Sequence, residues 1–131
     1  MCILSICFSE TILDYEVINT HCLNAEIIGK KELNISNEID FVNFWSKFGN
    51  CDIPKIDFSK YNIIGIFLGK KPNPGYGVKI TKILEVENNV EVHYKQYLPN
   101  PLKGYIQVIV YPYDFIKCEK FSGKVIFKKS T

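Results

Sequence analysis

Five cysteines, two histidines and two closely spaced aspartates are the residues of this 131-residue chain best suited to chemistry. A thiol nucleophile needs a base within hydrogen-bond reach. A zinc ion needs paired Cys or His ligands at short spacings. Cys2, Cys7, Cys22, Cys51 and Cys118 include no C-x-x-C pair, and neither His21 nor His93 stands at a ligand spacing from them. No metal site is therefore expected. Cys22 directly follows His21, but neighbours on a strand point to opposite faces. His93 shares a strand face with Glu91 and Lys95, where a solvated histidine is expected. Asp52 and Asp57 are placed to cap turns rather than to share a proton. The odd number of cysteines leaves at least one free thiol, and the expected arrangement is scattered buried thiols. The chain has no G-x-S-x-G elbow, H-E-x-x-H, Walker loop or dinucleotide fingerprint. It is expected not to be an enzyme and to use no cofactor. A thiol-dependent activity is the enzymatic alternative.

Composition narrows the partners. The net charge is +2 and all sixteen basic residues are lysine. A reader of bases or phosphates uses arginine forks, so no nucleic-acid partner is expected. No stretch approaches the ~18 consecutive apolar residues of a membrane helix. The length suits one domain over residues 1–131 with a sizeable core. Eight tyrosines and nine phenylalanines, with abundant Ile and Val, favour strands. The first thirteen residues, MCILSICFSETIL, lack the positive charge of a signal sequence, and a first strand is favoured over a signal remnant.

The elements that must position any site follow from periodicity. Residues 12–22 read as a short strand or extended segment, and residues 24–33 as a strand ending in Lys30-Lys31-Glu32. A helix is predicted over residues 37–48. Ser36 or Asn37 can cap it, and Glu38 and Asp40 suit the positive end of its dipole. Ile39, Val42, Trp45 and Phe48 recur every third residue, Phe41 and Phe44 widen that stripe, and Gly49 is placed to end the helix. The stripe is expected to pack on a sheet.

Residues 61–68, YNIIGIFL, form an unbroken apolar run that suits a strand buried on both faces. Gly65 within it implies close approach of another backbone, or a bulge. Lys70-Lys71-Pro72-Asn73-Pro74-Gly75 forms a stiff turn, and residues 76–80 return as the second strand of a central hairpin. The alternation slips at Thr81-Lys82-Ile83, which a bulge would absorb. Asn88-Asn89 marks a tight turn, after which Val90, Val92, Tyr94 and Leu98 share one face. Pro99-Asn100-Pro101 breaks that strand. Residues 105–111 are again densely apolar, and Pro112 makes residues 113–116 an edge strand or one that changes partner. Ser122-Gly123 turns the chain into a last strand at Val125-Ile126-Phe127. The predicted fold is α+β and mainly β: one antiparallel domain, sandwich or barrel-like, with a single amphipathic helix.

The candidate site is the loop Pro72, Asn73, Pro74, Gly75 and Tyr76, with Tyr111 and Tyr113 as neighbours. Prolines fix backbone angles in advance, so such a loop loses little entropy when a protein partner docks. Tyr76 is an aromatic of the kind that anchors interfaces. The competing reading makes the loop a structural turn with Tyr76 in the core.

Several short motifs agree in order and spacing: Phe44-Trp45, Pro54-x-Ile56-Asp57-Phe58-Ser59-Lys60, Phe67-Leu68-Gly69, Lys71-Pro72-x-x-Gly75-Tyr76 and Tyr111-Pro112-Tyr113. Over residues 41–116 they resemble the PrcB C-terminal domain family, accessory subunits linked to stabilising a secreted bacterial protease complex. The resemblance implies a non-enzymatic accessory domain that binds a protein, plausibly in a protease complex, in an extracytoplasmic setting. It supplies no catalytic residues. The chain departs from the family at Pro74, where Gly-Gly-Tyr is usual, and the segment between Pro99 and Tyr105 is short. Pro72-x-x-Gly75-Tyr76 also resembles one inhibitory loop of chagasin-type cysteine-protease inhibitors, with Lys71 in place of their asparagine. That likeness implies direct protease inhibition as the alternative.

Overall fold

Two four-stranded sheets lie face to face, and one helix covers the outer side of one of them. The structure is a computed structural model that describes residues 10–18 and 20–130. The expectation of a strand at the N-terminus falls partly on residues 1–9, which lie outside the described residues, as do Cys2 and Cys7. In chain order the elements are β1 (Glu10–Ile12), β2 (Tyr15–Val17), α1 (Ala25–Ile28), β3 (Lys30–Ile35), α2 (Glu38–Phe48), β4 (Tyr61–Leu68), β5 (Gly77–Val86), β6 (Asn89–Tyr97), β7 (Tyr113–Glu119) and β8 (Lys124–Ser130). One sheet has the order β1-β5-β6-β8 and the other β2-β7-β4-β3. The fold is α+β and mainly β. Its pairs are antiparallel except for β6 with β8, which run parallel.

β4 is buried along six of its eight residues because its two faces serve two cores. Ile64 and Ile66 join Ile80, Ile83, Val90, Val92 and Ile116 between the sheets. Ile63 and Phe67 join Phe41, Phe44, Trp45 and Phe115 beneath α2. Gly65 lies on the helix side, where an added Cβ would meet the rings of Phe67 and Phe115. The close approach read from this glycine is therefore made by aromatic side chains, not by a backbone.

α2 starts where its cap requires: the Asn37 side chain accepts the Asp40 N–H at 2.9 Å. Phe41, Phe44 and Trp45 are buried, whereas Ile39 and Val42 of the expected stripe face solvent. The helix thus lies on the sheet through a face rotated away from the every-third-residue row.

Three expectations are corrected, and the apolar run at residues 105–111 finds its place. Residues 24–33 begin not as a strand but as the single turn α1, because Asn24 caps the Ile27 N–H and Gly29, at φ 72°, ends it. β4 and β5 do not form a hairpin; Gly69 at φ 78° and the two prolines carry the chain from one sheet to the other. β7 is neither an edge strand nor divided between partners along its length, since it sits between β2 and β4. Residues 105–111 form no strand; their one bridge is Lys71 with Val110. Pro99, Pro101 and Pro112 bracket this run and hold it off the sheets.

The cysteine expectation is corrected as well. Cys22 and Cys51 form a disulfide, and only Cys118 is the buried free thiol foreseen among the described cysteines. The disulfide joins the approach to α1 to the end of α2. Asn24 N–H donates to Phe48 C=O, and Asn50 N–H to Cys22 C=O, across the same junction.

Two further features lock the sheets together. Residues 10–18 cross from β1 on one sheet to β2 on the other, with Leu13 buried between them. The expected bulge is present in β5 between Ile80 and Lys82. There the Ile80 N–H donates to Asp114 Oδ2 of β7 at 2.7 Å, and the Ile80 C=O accepts from the Tyr15 hydroxyl at 3.0 Å. Burial, and then the Asp114 carboxylate, push the Tyr15 phenol above its ordinary range.

Candidate functional site

The loop of residues 70–76 is fixed from within and from outside. Asn73 Oδ1 accepts the Gly75 N–H at 2.9 Å and closes a turn of the kind asparagine favours. Lys71 and Val110 exchange both backbone hydrogen bonds at 2.9 Å each. They continue the β4–β7 pairing past Gly69, shifted by one residue. Gly75 sits against Pro99 and the ring of Tyr105, where a Cβ would collide. The Tyr105 hydroxyl in turn accepts the Asn100 N–H at 3.2 Å. The loop is therefore one face of a composite end of the molecule, and residues 97–112 supply the other.

Within that end Pro72 and Pro74 are exposed, and Asn73, Gly75 and Tyr76 are half-buried. The Lys71 ammonium lies 5.3 Å from the centre of the Tyr76 ring. Tyr111 is half-buried. Partial removal from water raises its phenol above the ordinary range, and the Glu26 carboxylate adds to the rise. Tyr113 stands apart from the loop. Its ring stacks on Phe67 at 5.2 Å, and its hydroxyl donates to Thr20 C=O at 2.9 Å. Burial raises its phenol too. Tyr113 thus helps hold β7 beneath the helix layer, while the five loop residues and Tyr111 stay with the composite end.

Residues 97–112 carry what the reading of motifs missed. Leu98 is 69% exposed, Leu102 95%, Ile106 71% and Ile109 51%. Pro99-Asn100-Pro101 marks a break in the chain, and the run after it reads only as densely apolar. Composition alone reports that a segment prefers to pair and not whether a partner strand is within reach.

Other titratable groups are tied up in local contacts. His93 Nε2 lies 2.9 Å from Glu91 Oε1, and Lys128 Nζ lies 2.9 Å from Glu91 Oε2. The Lys128 hydrogen bond, then that of His93, holds the Glu91 carboxyl below its usual range. Asp57 accepts from both the side chain and the backbone of Ser59, which lowers its carboxyl in the same way. Burial pushes the Cys118 thiol up to about 12. The described residues place no three His, Cys, Asp or Glu together for a metal ion. They also contain no helix long and apolar enough to cross a membrane.

Comparison with known families places the PrcB C-terminal family on residues 63–119. The match runs from inside β4 to the end of β7 and includes the 70–76 loop and residues 97–112. The resemblance read from the sequence holds over this span, while α2 and the Pro54 to Lys60 motif lie outside it. No curated protein and no solved structure gives a significant match.

Proposed function

We propose that the chain is a non-catalytic accessory domain that binds another protein, a component of a protease complex, through the composite end built from residues 70–76 and 97–112. The observation that carries this reading is the pairing of a fixed loop with exposed apolar side chains. The loop is held by the Lys71–Val110 bridge, and Leu98, Leu102, Ile106 and Ile109 stand open to solvent beside it. A site already rigid before contact loses little entropy on docking, and desolvated apolar side chains supply the driving force. The family match over residues 63–119 supports the protease-complex setting. The Cys22–Cys51 disulfide supports an oxidising, extracytoplasmic compartment.

The test is an affinity capture from the native source with three baits: the wild type, Pro74→Ala/Tyr76→Ala and Ile106→Asp/Ile109→Asp, each checked for folding by circular dichroism. A protease-complex component recovered by the wild type and lost by both variants is the expected result. Equal recovery by all three moves the contact elsewhere on the molecule.

The alternative is a direct inhibitor of papain-like proteases through Pro72, Gly75 and Tyr76. Tyr76 lies half-buried under the Lys71 ammonium, which leaves the two prolines as the exposed residues of residues 72–76 for insertion into an active site. Titration of papain with the wild type and with Tyr76→Ala decides it, since stoichiometric inhibition by the wild type alone would establish the inhibitor. A thiol-dependent activity gains no support from the described cysteines, which are a disulfide pair and a buried thiol.

A further inference from the structure

The composite end has two properties that a generic sticky patch lacks. The first is a length of backbone without partners. Among the described residues, the backbone hydrogen bonds of residues 105–110 are Val108 N–H to Ile106 C=O and the Lys71–Val110 pair. The amides of Gln107 and Ile109 therefore have no backbone partner among the described residues, in a segment, YIQVIVY, that is exposed over residues 106–109, uncharged and rich in β-branched and aromatic residues. Such a segment is a ready template for an added strand.

The second property is an excess of positive charge, beside which the Glu26 carboxylate reaches Tyr111. No Asp or Glu occurs from Phe67 to Leu84 or from Val92 to Tyr113, while Lys70, Lys71, Lys79, Lys95 and Lys103 all fall in these stretches. Among the described residues none of the five lies in an ion pair. Lys79 of β5 and Lys95 of β6 are directly opposite in register, two residues inside the loop end of each strand. Like charges facing each other across strands destabilise a sheet, and a carboxylate laid over them removes that cost.

We infer that this end takes an extended, carboxylate-bearing segment of a partner protein, added as a strand along residues 106–109 with its acidic groups over the flanking lysines. The inference rests on the protein-binding reading above and names the chemistry of the segment bound. A second copy of this chain fits less well, because an isologous contact would bring two lysine clusters together. An anionic bilayer would suit the lysines and leucines but would leave the Gln107 and Ile109 amides unpaired in lipid.

The probe is a short fluorescent peptide of alternating valine and threonine with paired carboxylates at both ends, followed by anisotropy. Three comparisons accompany it: the same peptide with lysine ends, the same peptide N-methylated at alternate backbone positions, and phosphatidylglycerol vesicles. Sedimentation velocity of the protein alone reports self-association. The acidic peptide is expected to bind and the lysine-ended peptide not. N-methylation should abolish binding, because it removes the donors of the added ladder. Ile106→Asp/Ile109→Asp and Lys70→Glu/Lys71→Glu/Lys103→Glu should each weaken binding at least about tenfold, the latter through the loss of several charge pairs at once. Ile106, Ile109, Lys70 and Lys103 are exposed and Lys71 is half-buried, so circular dichroism accompanies both variants to show that the fold survives. Failure of the acidic peptide, indifference to N-methylation, or binding to vesicles or to a second copy in its place overturns the inference. If the peptide fails while native capture is still lost in Ile106→Asp/Ile109→Asp, the accessory-domain reading stands and the acidic strand is wrong. If both fail, both are wrong.

Discussion

Trp45 and Gly49 make the tightest sequence-local fit in the molecule. The indole N–H donates to Cys51 C=O at 2.7 Å, which fixes the ring, and the ring is buried over Gly49. A Cβ added at Gly49 would run into the indole. Because the ring is held by its hydrogen bond and by Phe41, it cannot swing aside. Gly49→Ala is expected to lower stability by ~1–3 kcal/mol, the usual cost of overpacking. Urea denaturation measures it, with Gly104→Ala as the control, since a Cβ there meets nothing. The glycine was legible in the sequence as a helix end, but its contact with Trp45 was not, because the ring position depends on where Cys51 is held. Cys118 gives a second prediction. Its thiol is pushed from 9.0 to about 12 by burial. Above pH 9 the unfolded chain therefore releases a proton that the folded chain keeps. The unfolded state then binds fewer protons, and stability falls as pH rises, by roughly tenfold in the folding constant per pH unit for this one group. Cys118→Ala is expected to flatten that fall between pH 9 and about 12 in unfolding curves. The raised phenols of Tyr15, Tyr94 and Tyr113 act in the same direction at higher pH.

At the scale of elements, α2 depends on a clamp at its end. The Cys22–Cys51 bridge closes a loop over a sequence separation of 29, and it spans the Leu23–Gly49 bridge between backbones. Restricting the unfolded chain over such a loop stabilises by about 3 kcal/mol. The double change Cys22→Ala/Cys51→Ala is expected to lose about that much, seen as a lower urea midpoint, and dithiothreitol should do the same to the wild type. Spacing did not reveal this pair, because nothing in the order of residues says that the start of α1 returns beside the end of α2. β4 and α2 were legible for the opposite reason. A run of apolar residues reports burial on both faces, and Asn37 reports a helix start through a hydrogen bond to its own neighbours. The connection from β4 to β5 was misread because proline and glycine mark a turn without stating which sheet the chain joins next. The exposure of residues 105–111 was not legible for a related reason: a strand-forming composition carries no information about the supply of partners. The loop at residues 70–76 could be picked out from its prolines. Its packing with residues 97–112 into one surface needed the Lys71–Val110 bridge and the Gly75 contacts, which join positions far apart in sequence.

Across the whole molecule the two cores share their strands, and this decides how it should unfold. β4 and β7 each put alternate residues into the core between the sheets and into the core under α2: Ile64 and Ile116 on one side, Ile63 and Phe115 on the other. Neither core can open without removing support from the same two strands. Residues 10–18 add a second tie, since Leu13 N–H donates to Ile83 C=O in one sheet and Asp14 C=O accepts from Glu119 N–H in the other. Asn62 fits the same seam. Its amide donates to Phe121 C=O at 3.3 Å, while its Oδ1 has no hydrogen-bond partner among the described residues. Trp45, the one tryptophan, reports on the layer under α2, and far-UV circular dichroism reports mainly on the sheets. The two signals are expected to change together in urea, with one midpoint, as a single cooperative transition requires. Leu13→Ala, which empties space at the seam between the sheets, should lower both midpoints equally and cost ~2–5 kcal/mol. An earlier loss of tryptophan signal than of sheet signal would mean that α2 peels from β4 and β7 while the sandwich survives, and that shared strands do not couple the two cores.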